Sequence, residues 1–211
     1  MTLIVQPAAK ENALQRGEVQ MASNAHDPLM KSFLPDAPYD VQVKFFGEAT
    51  SMDLEKPGFR SLEVIDTESD GKVVAFAQWK YPTPSNGMEK LGFEEMGFPD
   101  GTNIPFTENV FTLYNGLMKK YYDPDTMYYL AYMYVLPAYQ RRGLGQRLME
   151  QALLDADKDG AKSFVCASEQ GRGMYAKRGF KELETVLVDF IHLGAVGARN
   201  TTAMIREPSQ V

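Results

Sequence analysis

Apolar positions recur most regularly between Leu144 and Asp157, where Leu144, Leu148, Met149, Ala152, Leu153 and Ala156 fall at i, i+4, i+5, i+8, i+9 and i+12. That spacing lays a single apolar stripe along a helix, and Gly160 beyond it suits a left-handed cap. Upstream, Tyr128–Val135 is an aromatic and apolar run of strand length, stopped by Pro137, and predicts a buried central strand. Downstream, the pattern predicts a strand over Lys162–Ser168 and a short helix over Gly171–Arg178 closed by Gly179. Two last strands are expected at Glu184–Ile191 and Thr202–Arg206.

The first half is less regular. Leu3–Val5 reads as a strand stopped by Pro7, and Lys10–Ala25 as a helix burying Ala13, Leu14 and Met21. After Leu34-Pro35 and Ala37-Pro38, Val41, Phe45 and Phe46 predict a short helix leading to Gly58. The β formers of Arg60–Thr67 and Lys72–Tyr81 flank Asp70-Gly71, which predicts a hairpin. Residues 82–127 form an excursion broken by glycines and prolines, with a helical stretch only from Thr107 to Tyr121. Long irregular insertions in compact domains are more often functional than idle, so this one is expected near a functional site.

Composition narrows the class. With 211 residues, 44% of them hydrophobic and 24% charged, the chain suits one ordinary globular domain spanning 1–211. A formal net charge of -6 disfavours a nucleic-acid partner. The one cysteine, Cys166, has no internal disulfide partner, and with only His26 and His192 no metal constellation is expected. No leader-like N-terminus or apolar run of membrane length is present, so the expectation is a cytoplasmic, alternatively nuclear, protein without membrane contact.

The chemistry concentrates in Gln140-Arg141-Arg142-Gly143-Leu144-Gly145, between the buried strand and the regular helix. A helix N-terminus leaves backbone N–H groups unpaired, glycines permit close approach to them, and arginines add positive charge. The ligand expected there is a compact polyanion. A nucleoside-triphosphate loop would end Gly-Lys-Ser/Thr, whereas Gln146 and Arg147 follow Gly145. A dinucleotide fingerprint would need a small residue where Leu148 stands. A plain strand-to-helix turn with solvated arginines is the other reading of the turn alone.

This turn resembles the Gln/Arg-x-x-Gly-x-Gly/Ala signature of the GNAT (Gcn5-related N-acetyltransferase) superfamily. Tyr175-Ala-Lys-Arg-Gly179-Phe180 resembles that family's Tyr-x-x-x-Gly-Phe, at the family's spacing, and Met204-Ile-Arg-Glu-Pro208 is similar to its fungal members. The resemblance implies an α/β fold with a mixed, mostly antiparallel central sheet, splayed parallel strands at the cofactor site and helices on both faces. It implies acetyl-CoA as acyl donor and direct attack by an amine. Backbone groups of Met133, Tyr134 and Val135 would pair with pantetheine, the Met133 amide polarising the thioester carbonyl. Gln140, Arg141, Arg142, Gly143, Leu144, Gly145 and Gln146 would surround the pyrophosphate, with Arg147 also available to the 3'-phosphate.

By the same resemblance Tyr175 is the general acid, its phenol still protonated at neutral pH, although packing of its helix is the plainer role. Ser168 is a candidate polar cofactor contact or the cap of the next helix. The carboxylate that many members carry on the strand is missing, with Tyr129 and Ala131 at the usual sites. Asp125, Glu94, Glu95, Glu108 or water are the remaining candidates for the base. Tyr128, Tyr129, Tyr132 and Tyr134 either line an acceptor pocket or pack the core, Cys166 reads as a small buried apolar residue, and both histidines as structural. The expected acceptor is a small-molecule amine in preference to a protein amine. The alternative is a catalytically silent acyl-CoA-binding or sensing module, separable by acceptor-dependent release of CoA.

Overall fold

The computed structural model describes residues 2–84 and 91–209, with the backbone alone for Phe93 and Glu94. Seven strands form one sheet: β1 Leu3–Pro7, β2 Phe59–Asp66, β3 Lys72–Lys80, β4 Tyr128–Val135, β5 Ser163–Ser168, β6 Lys181–Val188 and β7 Arg199–Arg206. Their spatial order is β1-β2-β3-β4-β5-β7-β6, and every pairing is antiparallel except β4 with β5. The expected mixed sheet with one splayed parallel pair is therefore present. The expected hairpin joins β2 to β3, with Asp70 and Gly71 both at positive φ, 54° and 68°.

The helices are α1 Ala13–Ser23, α2 Pro28–Phe33, α3 Tyr39–Asp53, α4 Gly92–Glu95, α5 Ile104–Tyr121, α6 Leu144–Lys158 and α7 Glu169–Ala176. The apolar stripe of α6 is buried as its periodicity requires, against Val64, Val74, Trp79, Leu130 and neighbours on one face of the sheet. On the other face α1 packs against β3 and β4, and α5 packs on Tyr129 and Phe164. Among the described residues no helix is long and apolar enough to cross a membrane.

Two local features of β4 set up everything at the site. Gln78 pairs with Tyr132 but Trp79 with Leu130, so Ala131 is an extra residue, a β-bulge that inverts side-chain parity. Leu130 and Met133 consequently both pack with the α6 cluster, while Tyr129 and Ala131 join α5 and Tyr132 and Tyr134 join Phe76 and Val19. The second feature is the brevity of the parallel pairing. It covers only Tyr128↔Ser163 and Tyr129↔Phe164, after which the strands part.

The structure corrects the reading of the N-terminal helices. Leu14 is 56% exposed, and α1 instead buries Arg16, Gly17, Val19 and Gln20. The reason is a close crossing with α3: a Cβ on Gly17 would lie 2.0 Å from the Val43 carbonyl oxygen, and one on Gly47 would lie 2.2 Å from that of Ala13. That crossing turns Arg16 inward. Its guanidinium is fully buried and donates to Glu63 (3.1 Å), the Ala9 carbonyl (2.6 Å) and Ser51 Oγ (2.5 Å). Hydropathy cannot place a charge in a core, so the pattern pointed to the wrong face. The short α2, capped by Asp27 accepting from Leu29 N–H (2.8 Å) and Met30 N–H (3.3 Å), has no periodic signal at six residues. α5 begins at Ile104, ahead of the expected Thr107, because Asn103 caps it through Phe106 N–H at 3.2 Å. β6 and β7 begin three residues before their expected starts.

Replacing Arg16 by Met should cost about 3 kcal/mol, the low end for breaking a buried ion pair, because Glu63 keeps bonds from Asn12 (2.7 Å) and Gln6 (3.1 Å). Urea unfolding measures it. Adding Glu63→Leu to Arg16→Met should recover part of the loss, and a single variant as stable as the parent would refute the pair's structural role.

Candidate active site

Where β4 leaves β5, its backbone has a free edge. Leu136 N–H donates to the Val74 carbonyl (2.9 Å), so by antiparallel alternation Tyr134 and Tyr132 also direct their backbone groups at β3. Met133 and Val135 direct theirs into the gap. The Val135 carbonyl already accepts from Ser23 Oγ (2.9 Å) and Gln140 Nε2 (3.0 Å), leaving the Val135 N–H and both Met133 groups for an incoming strand-like chain. Of the three residues expected to pair with pantetheine, Tyr134 thus meets the cavity through its side chain.

The turn ahead of α6 keeps a row of amides open. Gly143 is the N-cap at φ 79°, with no side-chain cap, and Arg141 also has positive φ, 62°. Arg147 N–H bonds the Gly143 carbonyl, whereas the N–H groups of Gly143, Leu144, Gly145 and Gln146 have no acceptor among the described residues. A Cβ on Gly143 would meet nothing within 4 Å, so its glycine serves φ and outward access. A Cβ on Gly145 would come within 3.1 Å of Met174 Sδ and 3.6 Å of Met133 Sδ, where α6, α7 and β4 converge. Leu144 points into the core, while Gln140 ties the turn to β4. Exposed Arg142 donates to the Ala138 carbonyl (2.7 Å) and stacks on Tyr139, and Arg147 reaches the Leu3 carbonyl (3.4 Å).

Across the gap, Ser168 caps α7, its Oγ accepting from Gly171 N–H at 3.3 Å. Tyr175 packs edge-on against Phe180, 5.8 Å between centroids. Its ring lies so close to the helix that a Cβ on Gly171 would be 2.8 Å from Cε2. Burial raises the Tyr175 pKa, with Tyr134 adding to the effect, so the phenol is protonated at neutral pH.

Tyr175, Ser168, Met133 and Tyr134 share one cavity of about 720 Å³ with residues of α1, α2, α3 and α5. The excursion reaches it through Leu91, through Val110, Phe111 and Tyr114 of α5, and through Tyr122 just beyond that helix. The sequence reading missed Gln20, Asn24, Lys80, Tyr114 and Arg199, all on this wall. Arg199 pairs with Asp27 and donates to Tyr114 Oη (2.9 Å), which shares a hydrogen bond with Thr201 (2.9 Å). Of the aromatic strand residues, Tyr129, Tyr132 and Tyr134 line the cavity, whereas Tyr128 turns to Asp159 (2.6 Å).

No Asp or Glu stands among the described residues of the wall. Asp125 and Glu108 are exposed elsewhere, Glu95 is bonded to Lys56 (3.1 Å), and the Glu94 side chain lies outside the described residues. Exposed His26 and His192 are also away from the cavity, and no His/Cys/Asp/Glu group fit for a metal occurs among the described residues.

Residues 109–182, from α5 to the start of β6, match the family model of the acetyltransferase (GNAT) domain. Similar solved structures include one described as histone acetyltransferase HPA2 and related acetyltransferase from Corynebacterium glutamicum. It is 16% identical, with a TM-score of 0.63, over 100% of this chain and 99% of that one. The ribosomal-protein-S18-alanine N-acetyltransferase of Escherichia coli is 12% identical with a TM-score of 0.56, over 100% and 96% of the two chains. The PaiA N-acetyltransferase of Thermoplasma acidophilum, solved in complex with coenzyme A, is 14% identical with a TM-score of 0.55, over 98% and 99%. At such identities the likeness is one of fold, and none of the three comes from a fungus. No curated protein matches the sequence.

Cys166 also lines the cavity, its thiol pushed up to about 12 by burial. At pH 8 its thiolate population should be on the order of 10³-fold below that of a free cysteine. Iodoacetamide should therefore label the native chain far more slowly than the unfolded one, as mass spectrometry can follow. Equal rates would contradict that environment.

Proposed function

We propose that this chain, whose residues 109–182 match the acetyltransferase (GNAT) domain model, transfers the acetyl group of acetyl-CoA to a primary amine, that of a small molecule in preference to a protein. The observation carrying this reading is the convergence of three features: the unpaired amides of Gly143–Gln146, the free edge of β4, and the protonated Tyr175 phenol. A helix N-terminus with open amides fits a pyrophosphate, and an unpaired strand edge fits the amide-bearing pantetheine arm. Arg141, Arg142 and Arg147 add positive charge at the mouth. Ser168, whose oxygen is engaged in the cap, keeps its hydroxyl proton for a cofactor contact.

Acetyl-CoA supplies a thioester. As the amine nitrogen bonds to its carbonyl carbon, the C–S bond breaks, the nitrogen gives up a proton and the sulfur gains one. The Met133 N–H, aimed into the gap, is placed to donate to the carbonyl oxygen. Tyr175 delivers a proton to the departing sulfur and is restored from solvent. With no carboxylate among the described wall residues, water accepts the amine's proton. The same lack is what a catalytically silent acyl-CoA sensor would have, and acceptor-dependent release of CoA separates the two.

Acetyl-CoA at about 100 times its dissociation constant should stabilise the fold by roughly 2.7 kcal/mol. Gly143→Val, which places a β-branched residue at φ 79° beside the open amides, should remove most of that shift. A thermal unfolding series with and without ligand is the check, and the idea fails if the Val variant folds and gains as much as the parent.

Tyr175→Phe should keep the ring's packing and lower the single-turnover rate by about 10²- to 10⁴-fold, with little change in acetyl-CoA affinity. Rapid-quench measurement with a confirmed acceptor gives the rate. An unchanged rate would reduce Tyr175 to a packing residue.

A further inference from the structure

Beyond the gap, the cavity wall has a chemistry of its own. Phe33 of α2, Phe46 of α3 and Phe111 of α5 stand on it, with the Phe33 centroid 6.3 Å from that of Phe46 and 5.6 Å from that of Phe111. Leu29 and Val110 extend this apolar surface. Gln20 of α1 interrupts it. The residue is 3% exposed, yet its carboxamide makes no hydrogen bond to the described residues, and Oε1 is fully enclosed. Burying an amide without a partner is unfavourable, and a position that only had to fill space would be served by Leu or Met. A ligand with a hydrogen-bonding group of its own resolves that conflict. The backbone of Gln20 is separately engaged, its carbonyl accepting from Asn24 Nδ2 at 2.8 Å, so the side chain is not a helix cap.

Charge narrows the ligand further. The described wall holds no carboxylate, and Arg199, one of its cations, is already paired with Asp27. A polyamine or a lysine-rich tail would bring charge that the described wall does not match. The cavity of about 720 Å³ includes the gap assigned to the cofactor arm, so the part left beside Phe33, Phe46 and Phe111 has room only for a small molecule.

We infer that the acceptor is a compact primary amine on an aromatic or branched apolar body bearing one neutral hydrogen-bonding group, the body against Phe33, Phe46 and Phe111 and the polar group against the Gln20 carboxamide. The inference rests on the acetyltransferase reading of the adjoining gap. It makes Gln20 a specificity-determining residue.

The test compares phenethylamine with two hydroxylated forms, tyramine and 2-amino-1-phenylethanol, and with spermidine and a lysine-containing peptide. Thiol release with acetyl-CoA gives turnover, and calorimetry of each amine in the presence of CoA gives binding. The aryl amines should outperform spermidine and the peptide, and at least one hydroxylated form should exceed phenethylamine. In Gln20→Leu that advantage should fall by roughly 3- to 10-fold, the worth of one neutral hydrogen bond. The melting temperature should hold, because the variant removes an unpaired amide, and Phe111→Ala should raise KM for all three aryl amines alike. Preference for spermidine or the peptide, an unaltered hydroxyl advantage in Gln20→Leu, or no binding by any aryl amine would overturn the inference. Gln20-dependent binding without thiol release would instead uphold the ligand class and overturn the acetyltransferase reading.

Discussion

The site depends on the inability of β4 to stay paired on both sides along its length. The bulge at Ala131 holds β4 on β3 while turning its side chains over, and the parallel ladder to β5 stops after Tyr129. Backbone groups withdrawn from a sheet edge inside a protein need partners, and the Met133 groups with the Val135 N–H are left facing the gap where the strands part. The same divergence brings α6 and α7 to the two sides of that gap. Without it the open amides at Gly143–Gln146 and the Tyr175 phenol would serve different surfaces.

Holding the helices over the opposite face is a task for buried charge. Arg16 and Glu63 lie under the α1–α3 crossing, and nearby Asp53 accepts from Gln78 (2.8 Å) and from the Gly92 N–H (2.8 Å) while pairing with Lys56 (3.1 Å). Burial raises the Asp53 pKa, against the pull of Lys56, Gln78 and Gly92. Such bonds are directional where apolar packing is not, so they fix how α1 and α3 sit on β2 and β3. That placement decides which face of α1 reaches the cavity, and hence that Gln20 stands on its wall while Leu14 faces solvent.

The sequence was most informative where one period and one special backbone position coincide. The stripe of α6, its glycine turn and the β4 run could be read because the hydrophobic pattern and the turn chemistry point to the same strand–turn–helix unit, and the structure has it. Tyr175 and Ser168 came instead from the family resemblance, and both line the cavity. The far wall could not be read. Gln20, Asn24 and Arg199 come from α1, the turn after it and β7, so only tertiary packing brings them together. Their residue types carry no periodic signal, and in the case of Arg16 the hydropathy pattern pointed away from the buried face. The bulge at Ala131 was equally hidden, since an extra residue in a continuous apolar run leaves no break in the pattern.

The distribution of charge across the cavity has a consequence for the chemistry. A phenol buried against Phe180 is a weak acid, with its pKa raised further by desolvation, so Tyr175 gives up its proton only to a strong base. A thiol's reference pKa lies below that of a phenol, so on the proposed reading the transfer stays uphill until the C–S bond is nearly broken and full charge stands on the sulfur. The amine side presents the opposite case. A carboxylate in an apolar wall would itself have a raised pKa and would attract cations indiscriminately, whereas the described wall, with Lys80, Lys119 and Arg199 but no carboxylate, disfavours an ammonium relative to the uncharged amine, the form that can attack. On the proposed reading, the burial that makes Tyr175 a late acid also favours the reactive form of the acceptor, so that one property of the cavity serves both ends of the transfer.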